Sequence, residues 1–299
     1  QTAEYWDGYM SHVHFIDGTA YDASAFGSTD STTGEWQINA SPNVTYGTNG
    51  WFILKDGNSG TDQSPNSNNY TASGNLTKSE DNPSNVFATL NANDNYYASS
   101  SFSHGNLSIT TNSTKYAPTY STLGASSGKY YAECKMTAGS SARIGIISRP
   151  PEDTGATSSP GNDVYSVGYY SVHGTSYYDN SASTYGSSYT NGDIIGIAMD
   201  LDNHKLYFSK NGTFQNSGVP TSGSTGTGAI DLATGVFYSF GQSSYKDSSN
   251  PVYSWNFGNG FFGTTAITSA GSNGNGSLFE YDVPTGFYAL NTKNINTYG

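Results

Sequence analysis

Ten short stretches of this chain alternate apolar and polar residues with a period of two, and clusters of turn residues separate them. In chain order they are "YMSHVHFID", "GWFILKD", "GNLSITT", "KYYAECKM", "ARIGIIS", "VYSVGYYS", "DIIGIAMD", "KLYFSK", "GVFYSFG" and "VYSWNFG". A period of two sends alternate side chains to one face of a strand, so each stretch reads as a strand with a buried side. Helical spacing is nearly absent. The one candidate helical turn is "YDASAFG", residues 21–27, which Asp22 or Ser24 would cap. Many short strands divided by turns specify an all-β, antiparallel sandwich or barrel. The composition agrees: 36 Gly and 25 Tyr among 299 residues suit turns and pleated surfaces respectively.

Charge removes several functions. The net charge is −12, with only 11 Lys and Arg scattered along the chain, whereas nucleic-acid binding needs clustered cations to neutralise phosphates. Cys134 is the only cysteine, so an internal disulfide cannot form and a thiolate zinc site is not expected. Its strand context predicts a small buried hydrophobe. No apolar run reaches membrane-spanning length, so membrane insertion is not expected either.

Composition also sets boundaries. Residues 1–55 hold two strand signals, and residues 56–86 are dense in Gly, Pro, Asn and Ser. Tyr70 and Leu76 within that polar stretch predict a long ordered connection laid over the next domain. Strand signals crowd residues 87–262, and residues 263–299 contain "TSAGSNGNGS" (268–277), read as a flexible glycine linker, before a C-terminal segment.

The series "GKYYAECKM" (128–136), "RIGIIS" (143–148), "SVGYYS" (166–171), "YTNGDIIGIAMDLDNHKLYFSKNG" (189–212), "FYSFGQS" (237–243) and "WNFG" (255–258) resembles a SPRY (B30.2-like) domain. The order of these landmarks carries the likeness. The flanks "GYMSHVHFIDGTAYDASAFGSTDSTTGEWQI", "YGTNGWFI" and "PTGFYALNTKNI" resemble parts of marine bacteriophage structural proteins, the first two looking like the trailing half of a laminin-G or concanavalin-like domain. The resemblance implies an all-β SPRY/concanavalin-like sandwich with an extra N-terminal β segment, on a non-enzymatic virion or tail-fibre protein working outside the cell. It also implies self-association or contact with other virion subunits.

Catalysis finds little support. A glycanase needs two carboxylates facing a groove, but Glu4, Glu35, Glu80, Glu133, Glu152 and Glu280 are far apart in sequence. Glu133 occupies the position of a structural glutamate in the resemblance. Asp200, Asp202 and Asn203 are oxygen ligands in a row, yet a hairpin turn favours those residues anyway. "GASSG" (124–128) lacks the helix a nucleophile elbow requires, and "GNGFFG" (258–263) lacks the helix that would hold a pyrophosphate. His12 and His14 would share one face of a strand, read as a polar outer face. No metal and no cofactor is expected.

Binding is the better expectation. "YYDNSASTYGSSY" (177–189) sets Tyr177, Tyr178, Tyr185 and Tyr189 among small residues between two strands. Tyr offers a flat apolar body and a polar tip, suited to sugar rings and protein surfaces. The resemblance places the loops 149–163 and 242–251 near the binding end of the sandwich, adding Arg149 and Tyr245. The expected ligand is a host-surface glycan or protein, the alternative a purely architectural subunit.

Overall fold

The computed structural model describes residues 10–29, 31, 36–55, 60–71, 73, 81, 85–93, 100–112, 114, 116–139, 141–148, 159–244 and 250–299. The chain divides into two compact units, residues 1–86 and 87–299. Among the described residues, no helix is long and apolar enough to cross a membrane.

The first unit is built from two small antiparallel pairs. Strand β1 (Val13–Phe15) pairs with β4 (Trp51–Ile53), and β2 (Gly27–Thr29) pairs with β3 (Trp36–Ile38). A 3-10 turn over Ala23–Ala25 comes after Asp22, whose side chain makes no capping bond. His14 stands opposite Phe52, and the two rings stack at 3.9 Å and 22°. The expected polar histidine face is therefore corrected. His12 precedes the strand at φ +51°, and its ring also packs on Phe52. Few of the unit's described residues are buried aliphatics, and the His14 ring packs in their place beside Tyr46 and Phe26. Burial lowers His14 to about 4, and the neighbouring His12 adds to the effect.

The polar connection also departs from expectation, because its described part is tied to the first unit. Asp62 accepts from the Phe52 and Ser64 amides (both 2.8 Å), the Ser64 hydroxyl (2.8 Å) and the Asn68 amide (2.7 Å). Asn66 and Asn68 donate to the carbonyls of Gly47, Thr48 and Gly50. Side-chain amides thus close a loop that composition alone reads as linker. Burial pushes the Asp62 carboxyl up, but these four bonds outweigh it and hold it below the ordinary carboxylate range.

Both shifts have one sign for stability. A lowered histidine binds fewer protons folded than unfolded as pH falls from 6.5 towards 4, and a lowered carboxylate loses its native contribution below the unfolded value. Acidification from about pH 7 to about pH 4 is expected to loosen this unit. Exchange of the Phe52 amide, corrected for intrinsic rate, should speed up over that range. An unchanged protection factor would refute the assignment.

The second unit is an antiparallel sandwich. Its strands begin with β5 (Ser100–Ser103), β6 (Ser108–Thr111), β7 (Ala117–Tyr120), β8 (Lys129–Ala138), β9 (Ala142–Ile147) and β10 (Ser166–Tyr170). Next come β11 (Thr175–Tyr178), β12 (Ser181–Thr184), β13 (Ile194–Asp200), β14 (Lys205–Lys210), β15 (Thr213–Phe214) and β16 (Ile230–Asp231). The series ends with β17 (Ser239–Ser244), β18 (Val252–Asn256), β19 (Phe261–Phe262), β20 (Thr265–Ala266), β21 (Tyr288–Ala289) and a short helix α1 (Thr292–Tyr298). One sheet has the order β12-β11-β10-β9-β17-β7, and the other β15-β14-β13-β8-β18-β6-β5. The antiparallel all-β expectation holds.

Alternation explains the packing. Ile195, Ile197 and Met199 of β13, with Leu206 and Phe208 of β14, point into the core between the sheets. Ala198, Tyr207 and Tyr131 point the other way, into a second cluster with Phe279, Val283 and Phe287. Residues 279–289 therefore cover the outer face of the larger sheet, and backbone bonds from Gly271 to Phe279 and from Val283 to Ser272 tie the glycine-rich stretch to them, so it is not a free linker. Glu133, fully buried, accepts from the amides of Glu280 and Tyr281 (both 2.9 Å), the Tyr131 hydroxyl (3.3 Å) and Asn256 Nδ2 (3.3 Å). A segment rich in glycine is ordered by one carboxyl group and three aromatic and aliphatic anchors.

Candidate functional site: an arginine–tyrosine face on the six-stranded sheet

Strand β9 turns Ile144 and Ile146 inward, so Arg143 and Gly145 face outward. Arg143 is directly opposite Tyr170 on β10, and Tyr177 on β11 is opposite Gly168. Residues paired across an antiparallel ladder share a face, as do residues two apart. The register alone therefore gathers Arg143, Tyr170 and Tyr177 on the outside of the sheet. The Arg143 guanidinium lies 3.5 Å from the Tyr177 ring centroid, with the Tyr116 and Tyr170 centroids each at 5.8 Å. Such cation–π contacts contribute roughly 0.5–2 kcal/mol according to desolvation. Arg143 also donates through one terminal nitrogen to Asn162 Oδ1 (2.6 Å), while Nε is buried without a hydrogen-bond partner. Tyr170 extends the cluster edge-on to the exposed His173 at 5.8 Å.

Glycines let the adjoining loop settle on this face. Gly161 at φ +93° passes against the Tyr177 backbone, and a Cβ on Gly168 would meet the Pro160 carbonyl. Asp163 Oδ1 accepts from the Ser166 hydroxyl (2.8 Å) and the Tyr165 amide (2.9 Å), and Ser159 donates to Ser243 (3.1 Å). The end of the 149–163 loop is thereby fixed beside Arg143. Arg149 and Tyr245 lie outside the described residues.

The four tyrosines divide. Tyr177 and Tyr178 end the first strand of a hairpin, β11–β12, whose two-residue turn puts Asp179 and Asn180 at φ +49° and +56°, while Tyr185 and Tyr189 follow it. That geometry matches strand twist and suits Asp and Asn. Tyr177 is half-buried on the outer face, and Tyr178 on the opposite side packs at the rim of the core. Tyr185 and Tyr189 are only 5% and 4% exposed, which removes them from any surface. Tyr169 and Phe208 pack against Tyr185 at 5.6 and 5.8 Å, and its hydroxyl accepts from the Phe208 amide (3.1 Å). The Tyr189 hydroxyl donates to the Tyr169 carbonyl (2.8 Å). Arg143, Tyr116 and Tyr170, absent from the sequence-based set, are recoverable only once the strand register is known.

The carboxylates are accounted for structurally. Asp200 accepts from the Asn203 amide (3.0 Å) and Nδ2 (2.8 Å) and pairs with Lys129 Nζ at 2.9 Å, while Asp202 accepts from the Gly128 amide (2.7 Å). Glu133 and Glu280 do meet, but through the Glu280 backbone and beneath the C-terminal segment, not across a groove. Glu4, Glu35, Glu80 and Glu152 lie outside the described residues. Among those that are described, no group of three His, Cys, Asp or Glu has metal-holding geometry. Burial holds the Cys134 thiol well above its ordinary pKa, consistent with a packing role.

Residues 129–244, from the start of β8 to the end of β17, match the family model of the SPRY domain. The chain carries a SPRY domain. The arginine–tyrosine face lies on this domain, with Tyr116 contributed from just before the matched stretch. Among solved structures, the SPRY domain of human HERC1 is similar at 17% identity and a TM-score of 0.40, over 50% of this chain and 87% of that one. No curated protein matches the chain.

Proposed function

We propose that this chain is a non-enzymatic recognition module that holds a partner against the arginine–tyrosine face of its SPRY domain. SPRY domains are generally protein-interaction modules, and one observation carries the reading here: an Arg143 ringed by Tyr116, Tyr170 and Tyr177 on the outside of a sheet. Arg and Tyr dominate the energetic centres of protein interfaces, because they bury large area with few rotamers and retain polar tips. The sequence resemblance of the flanks to phage structural proteins supports a post for the module on a virion appendage, facing a host-surface protein or glycan, in self-associated copies. The Asp and Glu excess keeps nucleic acid off the list of partners.

The test is binding of the labelled full chain to host cells and to a glycan array, with Tyr177→Ala and Tyr178→Phe compared. Removing the Tyr177 ring is expected to weaken binding by about thirtyfold, as for a central interface residue. Tyr178→Phe, at the rim of the core, should bind normally. Equal binding by Tyr177→Ala would remove the face from consideration, and sustained release of reducing sugar would make the chain an enzyme.

A further inference from the structure

The first unit contains a cavity of about 360 Å³ lined by His14, Ile16, Thr19, Tyr21 and Phe26. Its size is that of a small-molecule site. The chemistry of its wall is narrow. Phe26 provides a ring face, held edge-on by Tyr21 at 6.4 Å and tilted on His14 at 4.9 Å. The Tyr21 hydroxyl accepts from the Thr45 amide (3.0 Å), which fixes its oxygen and leaves its proton free to donate. Thr19 adds a second exposed hydroxyl. His14 bonds through Nδ1 to the Tyr46 hydroxyl (2.9 Å), so Nε2 sits on the far side of the ring, and it has no hydrogen-bond partner.

Each feature removes a class of ligand. Among the described residues no Lys or Arg lines the cavity, so a phosphate or carboxylate would lose its hydration without a counter-charge from them. A wholly apolar ligand would cover the hydroxyls of Thr19 and Tyr21 without bonding to them. What remains is a molecule with an apolar face and a ring of hydroxyls.

We infer that this cavity is a binding site for a neutral pyranose, with one face of the sugar on Phe26 and its hydroxyls on Thr19 and Tyr21. Near neutral pH the His14 imidazole at the pocket wall is uncharged, so it adds no cation that would hold an acidic ligand. The site is separate from the SPRY face and does not depend on the function proposed for it.

Ligand-observed NMR on the full chain tests this with the methyl glycosides of glucose, galactose, mannose and N-acetylglucosamine, and with glucuronate as the charged control. At least one neutral glycoside is expected to receive saturation from the protein, and glucuronate not to. The double variant Thr19→Val, Tyr21→Phe keeps the shape and removes both hydroxyls. It should weaken binding by about tenfold or more, the scale of losing two hydrogen bonds. Silence from all four glycosides would overturn the inference. So would undiminished binding by the double variant, or equal binding of glucuronate.

Discussion

Above about pH 8, where the Glu133 carboxyl is ionised, Glu133→Gln is expected to destabilise the SPRY-bearing unit by about 2–3 kcal/mol, although the two side chains have nearly the same shape. Both carboxyl oxygens of Glu133 accept a backbone amide, Oε1 from Tyr281 and Oε2 from Glu280. An amide side chain offers one acceptor and one donor. Whichever way Gln is turned, its NH2 faces one of those N–H groups, leaving two donors confronted in a buried site. The loss lands on residues 280–281 and so loosens the C-terminal cover of the larger sheet. Thermal melting should fall by several degrees for a unit of this size, with faster exchange at the Tyr281 amide. A melting temperature within a degree of the wild type would show that the carboxyl does not hold this segment.

The pH dependence gives the same residue a second signature. Burial pushes Glu133 up to about 7 against the pull of its four donors. A raised carboxyl binds its proton more tightly folded than unfolded, so stability is highest at low pH and declines as pH climbs from about 4.5 to about 7. The two units are therefore expected to respond to acid in opposite directions. Glu133→Gln should flatten the response of the second unit in that window and leave that of the first intact.

Gly145→Ala is the other large effect expected, at about 3 kcal/mol or more. Gly145 sits in the middle of β9 and pairs with Gly168 on one side and Gly241 on the other. A Cβ there would run into the Val167 carbonyl oxygen. That atom belongs to the neighbouring strand, so relief requires moving β10, not rotating a side chain. Because β10 carries Tyr170 and leads to Tyr177, the same change should disperse the rings around Arg143. Chemical denaturation would show a lower midpoint, and the Arg143 side-chain protons would lose the upfield shift imposed by the Tyr177 ring face. A stable variant with an unaltered Tyr177 environment would contradict this account.

How far the sequence reveals this molecule depends on whether the deciding interaction is local. The β13–β14 hairpin is legible because Ile195, Ile197 and Met199 repeat at spacing two and are answered by Leu206 and Phe208. All ten alternating stretches contain a strand for the same reason. Tyr185 and Tyr189 are not legible, since their Ser and Gly neighbours describe a loop while Tyr169 and Phe208, distant in sequence, supply the burial. The glycine-rich 263–279 stretch misleads likewise, because the Glu133 carboxyl, more than a hundred residues earlier, anchors its far end at Glu280. Helix α1 is missed for its brevity, though Asn291 caps it by accepting from the Asn294 amide (2.8 Å). Arg143 becomes conspicuous only when β9, β10 and β11 are in register, which no single segment specifies.

The position of β8 has a consequence for how the chain is made. It is the central strand of the larger sheet, yet neither neighbour is close in sequence: β13 begins at Ile194 and β18 at Val252. On a ribosome, β8 emerges with both edges bare and waits through the synthesis of more than a hundred residues before β18 arrives to pair with it. Contacts of such separation close slowly and leave strand edges open to wrong partners meanwhile. Production of this protein should therefore be limited less by the stability of the finished sandwich than by the lifetime of its half-made sheet. Slower synthesis at lower temperature, or a chaperone that shields unpaired strands, should raise the soluble yield more than any stabilising substitution in the core.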